Sequence, residues 1–246
     1  MKTKTKALLI TMCAALFVVA TVFTTLAFLT DDKSVVNSFT VGNVHIKLDE
    51  AVVDEAGVAT GTRTESGNEY HLLTGHEYTK DPTVTVLGTS KDCYVRMFVT
   101  ITQSQEWDNV CDAHKKDGEN EFGAADMFLY KNGDTYTKGF NPAWELHNVT
   151  ENTDPANTRT YEFWYKGGES DDYIVEKATD ITPIPALFDQ IKMPTQLTND
   201  DLVAIDGENH KFKIYAVAQA IQADGFENAT AAFEAAPAIT GSDLTP

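Results

Sequence analysis

His71 and His76 lie five apart, and Glu77 follows the second of them. A helical zinc-protease motif needs two histidines four apart with a glutamate beside the first. Both imidazoles then share one helix face, and the carboxylate can serve as base. Here His76-Glu77 runs on into Tyr78, Thr79 and Lys80, so the second histidine is missing. Gly75 before the pair and Asp81-Pro82 after it make a poor helix. His114, His147 and His210 stand isolated. These histidines read as loop residues rather than a three-ligand metal site. Nucleophiles fare no better. The chain has no Gly-x-Ser-x-Gly elbow, and neither Cys93 nor Cys111 sits in a local catalytic signature. Phosphate-cradling glycine loops are absent, and no cofactor-binding motif is present. Carboxylates are abundant enough to supply a glycosidase pair, but a solvated acidic surface explains them equally well. The acidic runs 119–126 and 199–206 lack the spacing of a calcium loop. Asn148-Val149-Thr150 and Asn228-Ala229-Thr230 match the glycosylation acceptor pattern, a weak signal without the source. The residue types therefore point away from an enzyme: no catalytic residue, metal ligand or cofactor is assigned.

The amino terminus carries a clearer message. Residues 1–6 read MKTKTK, and residues 7–23 read ALLITMCAALFVVATVF. A basic stretch, an apolar stretch and then small residues is the layout of a secretory signal peptide. Thr25 and Ala27 occupy the two small-residue positions for cleavage before Phe28. The alternative is a retained membrane anchor, since the apolar stretch extended through Phe28 and Leu29 is long enough to span. Cleavage is favoured by the small residues and by the acidic Asp31-Asp32 that follows. Cys13 is preceded by Met12, whereas a lipoprotein signal wants a small residue there. An exported chain allows Cys93 and Cys111 to pair as a disulfide, and two buried free thiols are the other reading.

The 246-residue chain is strongly acidic, with a formal net charge of −18. Removing residues 1–27 takes away Lys2, Lys4 and Lys6, the only basic residues there, and moves the charge to −21. Such a surface repels phosphate backbones and anionic lipid, so nucleic acid and a peripheral membrane role are poor readings; contact with the membrane is expected only before cleavage. It suits solubility, weak cation binding or a basic partner.

The elements that position these residues are mostly strands. Residues 39–48 alternate as a half-buried strand, residues 54–69 form a loop or loose hairpin, and residues 83–87 follow Asp81-Pro82 as a short strand. Residues 93–102 predict a strand with Tyr94, Arg96, Phe98 and Thr100 on one face and Val95, Met97, Val99 and Ile101 on the other. Residues 104–157 hold Gly, Asn and Asp clusters with Trp107 and Trp144 among them, and read as an insertion or small subdomain. Within it, Asn132-Gly133 predicts a hairpin turn between strands at 127–130 and 134–138. Residues 158–166 and 212–222 read as strands, residues 185–191, 199–203 and 227–236 as short helices. Strands predominate without β-α-β alternation, which predicts an all-β fold: an antiparallel β-sandwich with peripheral short helices, in one domain over 28–246.

Several blocks, taken in order, resemble the TasA/camelysin family of exported proteins. Around the cleavage site stands TLAFLTDD, and then Asn37, Phe39, Val41, Gly42, Asn43 and Val44 follow the family's first strand. Tyr78, Lys80, Asp81, Pro82 and Val84 match the next block, and Tyr94-Val95-Arg96 the one after. Residues 186–189, 197–199 and 220–226 match further blocks, while 104–157 is the least similar part. The resemblance implies a jelly-roll-like sandwich, secreted or held at the cell surface, whose subunits build biofilm-matrix fibres by donor-strand exchange. Its implied partners are other copies of itself in a head-to-tail polymer, other matrix or surface proteins, and a signal peptidase during export. Residues 28–40 are the candidate donor segment, with Phe28, Leu29, Val35 and Val36 as candidate anchors; the alternative is that this segment forms the first strand of its own sheet or frays. Camelysin-like members are described as surface metallopeptidases, an activity with no motif to rest on here. A monomeric adhesin presenting the aromatic residues of 104–157 is the third reading.

Overall fold

The computed structural model describes residues 37–115, 122–153, 156–168, 172–177, 181–207 and 211–245. The chain divides into residues 1–33 and 34–246, and every described residue belongs to the second unit. The signal peptide, its cleavage residues Thr25, Ala27 and Phe28, the anchors Leu29, Val35 and Val36, and His210 all lie outside the described residues.

The fold is all-β, built from antiparallel sheets with short helices at the margins. The fourteen strands of the described residues are β1 (Asn37–Val41), β2 (Ile46–Val53), β3 (Ala59–Thr64), β4 (Glu77–Thr79), β5 (Thr83–Val86), β6 (Cys93–Thr102), β7 (Phe128–Asn132), β8 (Thr135–Lys138), β9 (Trp144–Thr153), β10 (Ala156–Tyr165), β11 (Ile174–Val175), β12 (Thr182–Pro183), β13 (Gln190–Lys192) and β14 (Ile214–Gln222). The helices are α1 (Ser104–His114), α2 (Asn199–Asp206), α3 (Ala229–Ala235) and α4 (Gly241–Leu244). The largest sheet runs β1-β14-β6-β10-β9, with β11 beside the start of β6. A second runs β12-β5-β2-β3 and a third β4-β13-β7-β8. Every pairing is antiparallel except that of β1 with β14.

Alternation decides what each face does. Val95, Met97, Val99 and Ile101 of β6 are fully buried in the main core, which also takes Ile46 and Leu48 of β2 and Val84 and Val86 of β5. Opposite them on β14, Ala216, Ala218 and Ala220 pair with Val99, Met97 and Val95. Small beside large lets the ladder fill space at interior density. Full burial of each such aliphatic side chain contributes about 1.5–3 kcal/mol. The reverse face of β6 is covered too. Tyr94 and Trp164 pack against Phe233 of α3, while Phe98 and Val217 pack against Leu244 of α4. The expected hairpin forms, but Asn132 still pairs with Thr135 at the end of the ladder, so its two turn residues are Gly133, at φ 62, and Asp134 rather than Asn132 and Gly133.

Four local expectations are corrected. Residues 39–48 are two strands in two sheets, broken at Gly42 (φ 83), where the chain crosses from β14 to β5. Residues 104–157 do not stand apart. Trp107 on α1 is fully buried in the main core, β9 pairs with β10 in the first sheet, and β7 pairs with β13 in the third. The aromatics attributed to a subdomain are core residues of the whole. Residues 185–191 are not a helix, because their backbone is engaged elsewhere. The carbonyls of Pro185 and Leu187 accept from the Trp144 indole and the Asn141 amide, and the Asp189 amide donates to Leu129. Finally, Cys93 and Cys111 are both buried free thiols rather than a disulfide. Cys93 opens a ten-residue strand about 30 Å long. Cys111 lies seven residues into the helix beyond its far end, which can retrace only about 10 Å. A disulfide needs Cα atoms within about 7 Å.

Candidate assembly surface

The two margins of the largest sheet are β1 and β9. At the first, residues 37–41 pair in parallel with Val217–Ile221 of the same chain, from Asn37 opposite Val217 to Val41 opposite Ile221. Residues 37–40, the described end of the candidate donor segment, thus serve as a strand of their own sheet.

At the other margin β9 spans ten residues, and among the described residues it pairs only with β10. From Glu145 to Thr150 every side chain is exposed. Leu146 and Val149 lie 49% and 45% exposed opposite the buried Phe163 and Tyr161. An edge of this kind is a template for another strand unless it is blunted. Some blunting is present. The register shifts between the pairs Glu162–Asn148 and Phe163–Leu146, which leaves His147 as the extra residue of a bulge. Its ring stacks on Trp164, with centroids 3.7 Å apart and planes 11° from parallel. Acids flank the exposed run. Glu145 accepts from the Tyr173 hydroxyl, and Glu151 takes a charge-assisted hydrogen bond from Arg159, whose guanidinium also holds Asp108 on α1. Between them Leu146, His147, Asn148, Val149 and Thr150 form a stretch without acids, lysines or arginines, and among the described residues its outer backbone side pairs with no strand.

Behind the second sheet lies a dense polar cluster. Glu50 on β2 is fully buried and Lys80 is 3% exposed, with Nζ 2.7 Å from Oε2. The Asn68 amide donates to the other Glu50 oxygen at 2.8 Å and to the Ala51 carbonyl at 2.8 Å, and its Oδ1 accepts from the Val53 amide at 3.0 Å. Tyr70 lies beside Lys80, 5.8 Å from Nζ to ring centroid. Burial, followed by the charge of Glu50, pushes the Tyr70 phenol far above its ordinary range. Nearby, Arg63 bridges Asp49 and Asp81 at 2.6 and 2.7 Å.

The histidines are dispersed. The Tyr78 hydroxyl donates to the His71 carbonyl, and the His76 ring packs edge-on against the Tyr78 ring with Nε2 2.8 Å from the Ala56 carbonyl. His114 on α1 meets Asp201 on α2 at 2.9 Å. Among the described residues no three His, Cys, Asp or Glu side chains gather as a metal site, and no helix is long and apolar enough to cross a membrane. The edge strand β9 carries no clear strand signature in the sequence, because beyond the buried Trp144 its only apolar residues are Leu146 and Val149, spaced three apart across the bulge. No family model, no characterised protein and no solved structure matches the chain.

Proposed function

We propose that this chain is an exported structural protein whose subunits join by strand addition into extracellular matrix or cell-surface fibres. One observation carries the reading. The largest sheet is unclosed, with the N-terminal strand β1 at one margin and the exposed strand β9 at the other. A contact between residues 28–36 of one subunit, the segment that precedes β1, and the next subunit's β9 is heterologous. It does not close on itself, so it propagates a filament. Main-chain hydrogen bonds supply affinity, and the alternating side chains supply specificity. The signal-peptide layout of residues 1–27 and the resemblance of the chain's ordered blocks to the TasA/camelysin family support export and fibre formation. Removal of residues 1–27 would free Phe28 and Leu29, so polymerisation starts only outside the cell.

The test is assembly of a chain starting at Phe28, imaged by negative-stain electron microscopy. Filaments are expected, and they are expected to disappear when residues 28–36 are deleted. A monomer that persists across protein concentration, pH and added calcium overturns the proposal.

A further inference from the structure

The Glu50 cluster brings together three groups that the assembly reading does not use: an amine, a carboxamide and a carboxylate. Lys80 Nζ and Asn68 Nδ2 hang from the two oxygens of the one Glu50 side chain, at 2.7 and 2.8 Å. A lysine ammonium and a carboxylate this deeply buried carry a large desolvation cost. Passing the proton from Nζ to Oε2 removes both charges and leaves a free amine beside an amide. The amide is held in place on every side. Nδ2 is fixed by Glu50 and the Ala51 carbonyl, while Oδ1 already accepts a hydrogen bond from the Val53 N–H.

We propose that Lys80 and Asn68 become joined by an intramolecular amide bond, with Glu50 as the proton carrier. The Nζ lone pair attacks Cγ of Asn68, and the carbonyl electron pair moves onto Oδ1. The Val53 N–H already points at that oxygen and stabilises its developing negative charge. Glu50, having taken one proton from Nζ, gives it to Nδ2. The Cγ–Nδ2 bond breaks, and ammonia leaves. The second Nζ proton passes to Glu50 and on to the departing ammonia, which exits as ammonium and restores the carboxylate. One C–N bond forms and one breaks, and nothing is oxidised or reduced. No co-reactant is needed. Fixing the amide beside a buried amine and a buried proton carrier supplies the proximity that this slow reaction lacks in water. The product closes a covalent loop over residues 68–80 and ties the segment before β5 to the loop after β3. Such a link restricts the unfolded chain much as a disulfide does, in a protein whose two described cysteines are free. The inference is independent of fibre formation.

The experiment is mass spectrometry of the full chain purified under denaturing conditions, followed by trypsin. Arg63 and Lys91 bracket the segment, and Lys80 is the only tryptic site between them. The parent is expected to give peptide 64–91 uncut at Lys80 and lighter by one ammonia. Chains carrying Glu50→Gln or Lys80→Arg are expected to keep that ammonia. A parent cut normally after Lys80 overturns the proposal. That holds if the 64–80 peptide has full mass, and equally if it has lost ammonia by cyclisation at Asn68. Both parent outcomes are read without any variant having to fold. An uncut, ammonia-depleted peptide from Glu50→Gln overturns the role given to Glu50.

Discussion

The Arg96 guanidinium donates to Glu162 at 2.9 Å across the β6–β10 ladder, on the sheet face turned away from the main core. The same Glu162 oxygen accepts from the Trp164 indole at 2.8 Å, and Arg96 also donates to Gln219 at 2.8 Å. Arg96 lies 4.7 Å from the Phe233 ring of α3. Burial pulls the Arg96 pKa down, and the charge of Glu162 opposes it. With only 11% and 15% of the two side chains exposed, the pair is a polar pin beneath the C-terminal helices. Glu162→Ala leaves the arginine uncompensated and is expected to cost about 3 kcal/mol, whereas a double replacement of Arg96 and Glu162 by methionine recovers most of that loss. Urea denaturation of the parent and the two variants checks it.

The exposed run of β9 is separable from stability. Val149→Lys places a charge on the open edge at a site 45% exposed. Its effect on unfolding is expected to stay within about 0.5 kcal/mol. Filament formation is expected to be lost. A variant with parental stability that still polymerises removes β9 from the proposed contact.

The free thiols report on the fold. Burial, then the charge of Asp92, pushes Cys93 up to about 12, while burial and the neighbouring Asp108, Asp112 and Asp126 push Cys111 up to about 11. An unfolded thiol ionises near 8.5. Both groups therefore favour the folded state fully below that value. The contribution is lost as pH rises from about 8.5 through the folded values, because only the unfolded chain binds fewer protons there. Iodoacetamide at pH 8 is expected to leave both unlabelled in the folded chain and to label both in denaturant.

Asp201 closes the start of α2. Its carboxylate accepts from the Thr198 hydroxyl and amide, each at 2.7 Å, and Thr198 accepts in turn from the Asp201 amide at 3.2 Å. These bonds to Thr198, opposed by burial and aided by His114, hold the Asp201 pKa below the ordinary value. A depressed carboxylate stabilises above its unfolded pKa, and the contribution is lost as pH falls below about 3.9. Asp201→Ala is expected to cost about 1 kcal/mol at pH 7 and to differ less from the parent in acid. Thermal unfolding at pH 7 and pH 3 measures both.

Where neighbours along the chain decide conformation, the residues alone were sufficient. The alternation of residues 93–102 placed Val95 and Met97 on one face of a strand, and Gly133 marked a turn, entered one residue later than Asn132-Gly133 implied, whose positive φ few residues accept. Thr198 and Asp201 likewise reside within one capping unit. Long-range partners decided the rest. Leu187 and Phe188 suited a helix as well as the extended, core-filling segment they occupy, and the outcome turned on carbonyls claimed by Asn141 and Trp144. Trp107 and Trp144 announced packing without saying into which core. Glu50, Asn68 and Lys80 are unremarkable at spacings of eighteen and twelve, and they meet because β2, the loop after β3 and the end of β4 converge. Local periodicity is written in φ/ψ preference and in the alternation of side chains. The register of a sheet, the open margin at β9 and a shared carboxylate depend on which distant backbone groups find each other, a choice made by the burial of the whole chain.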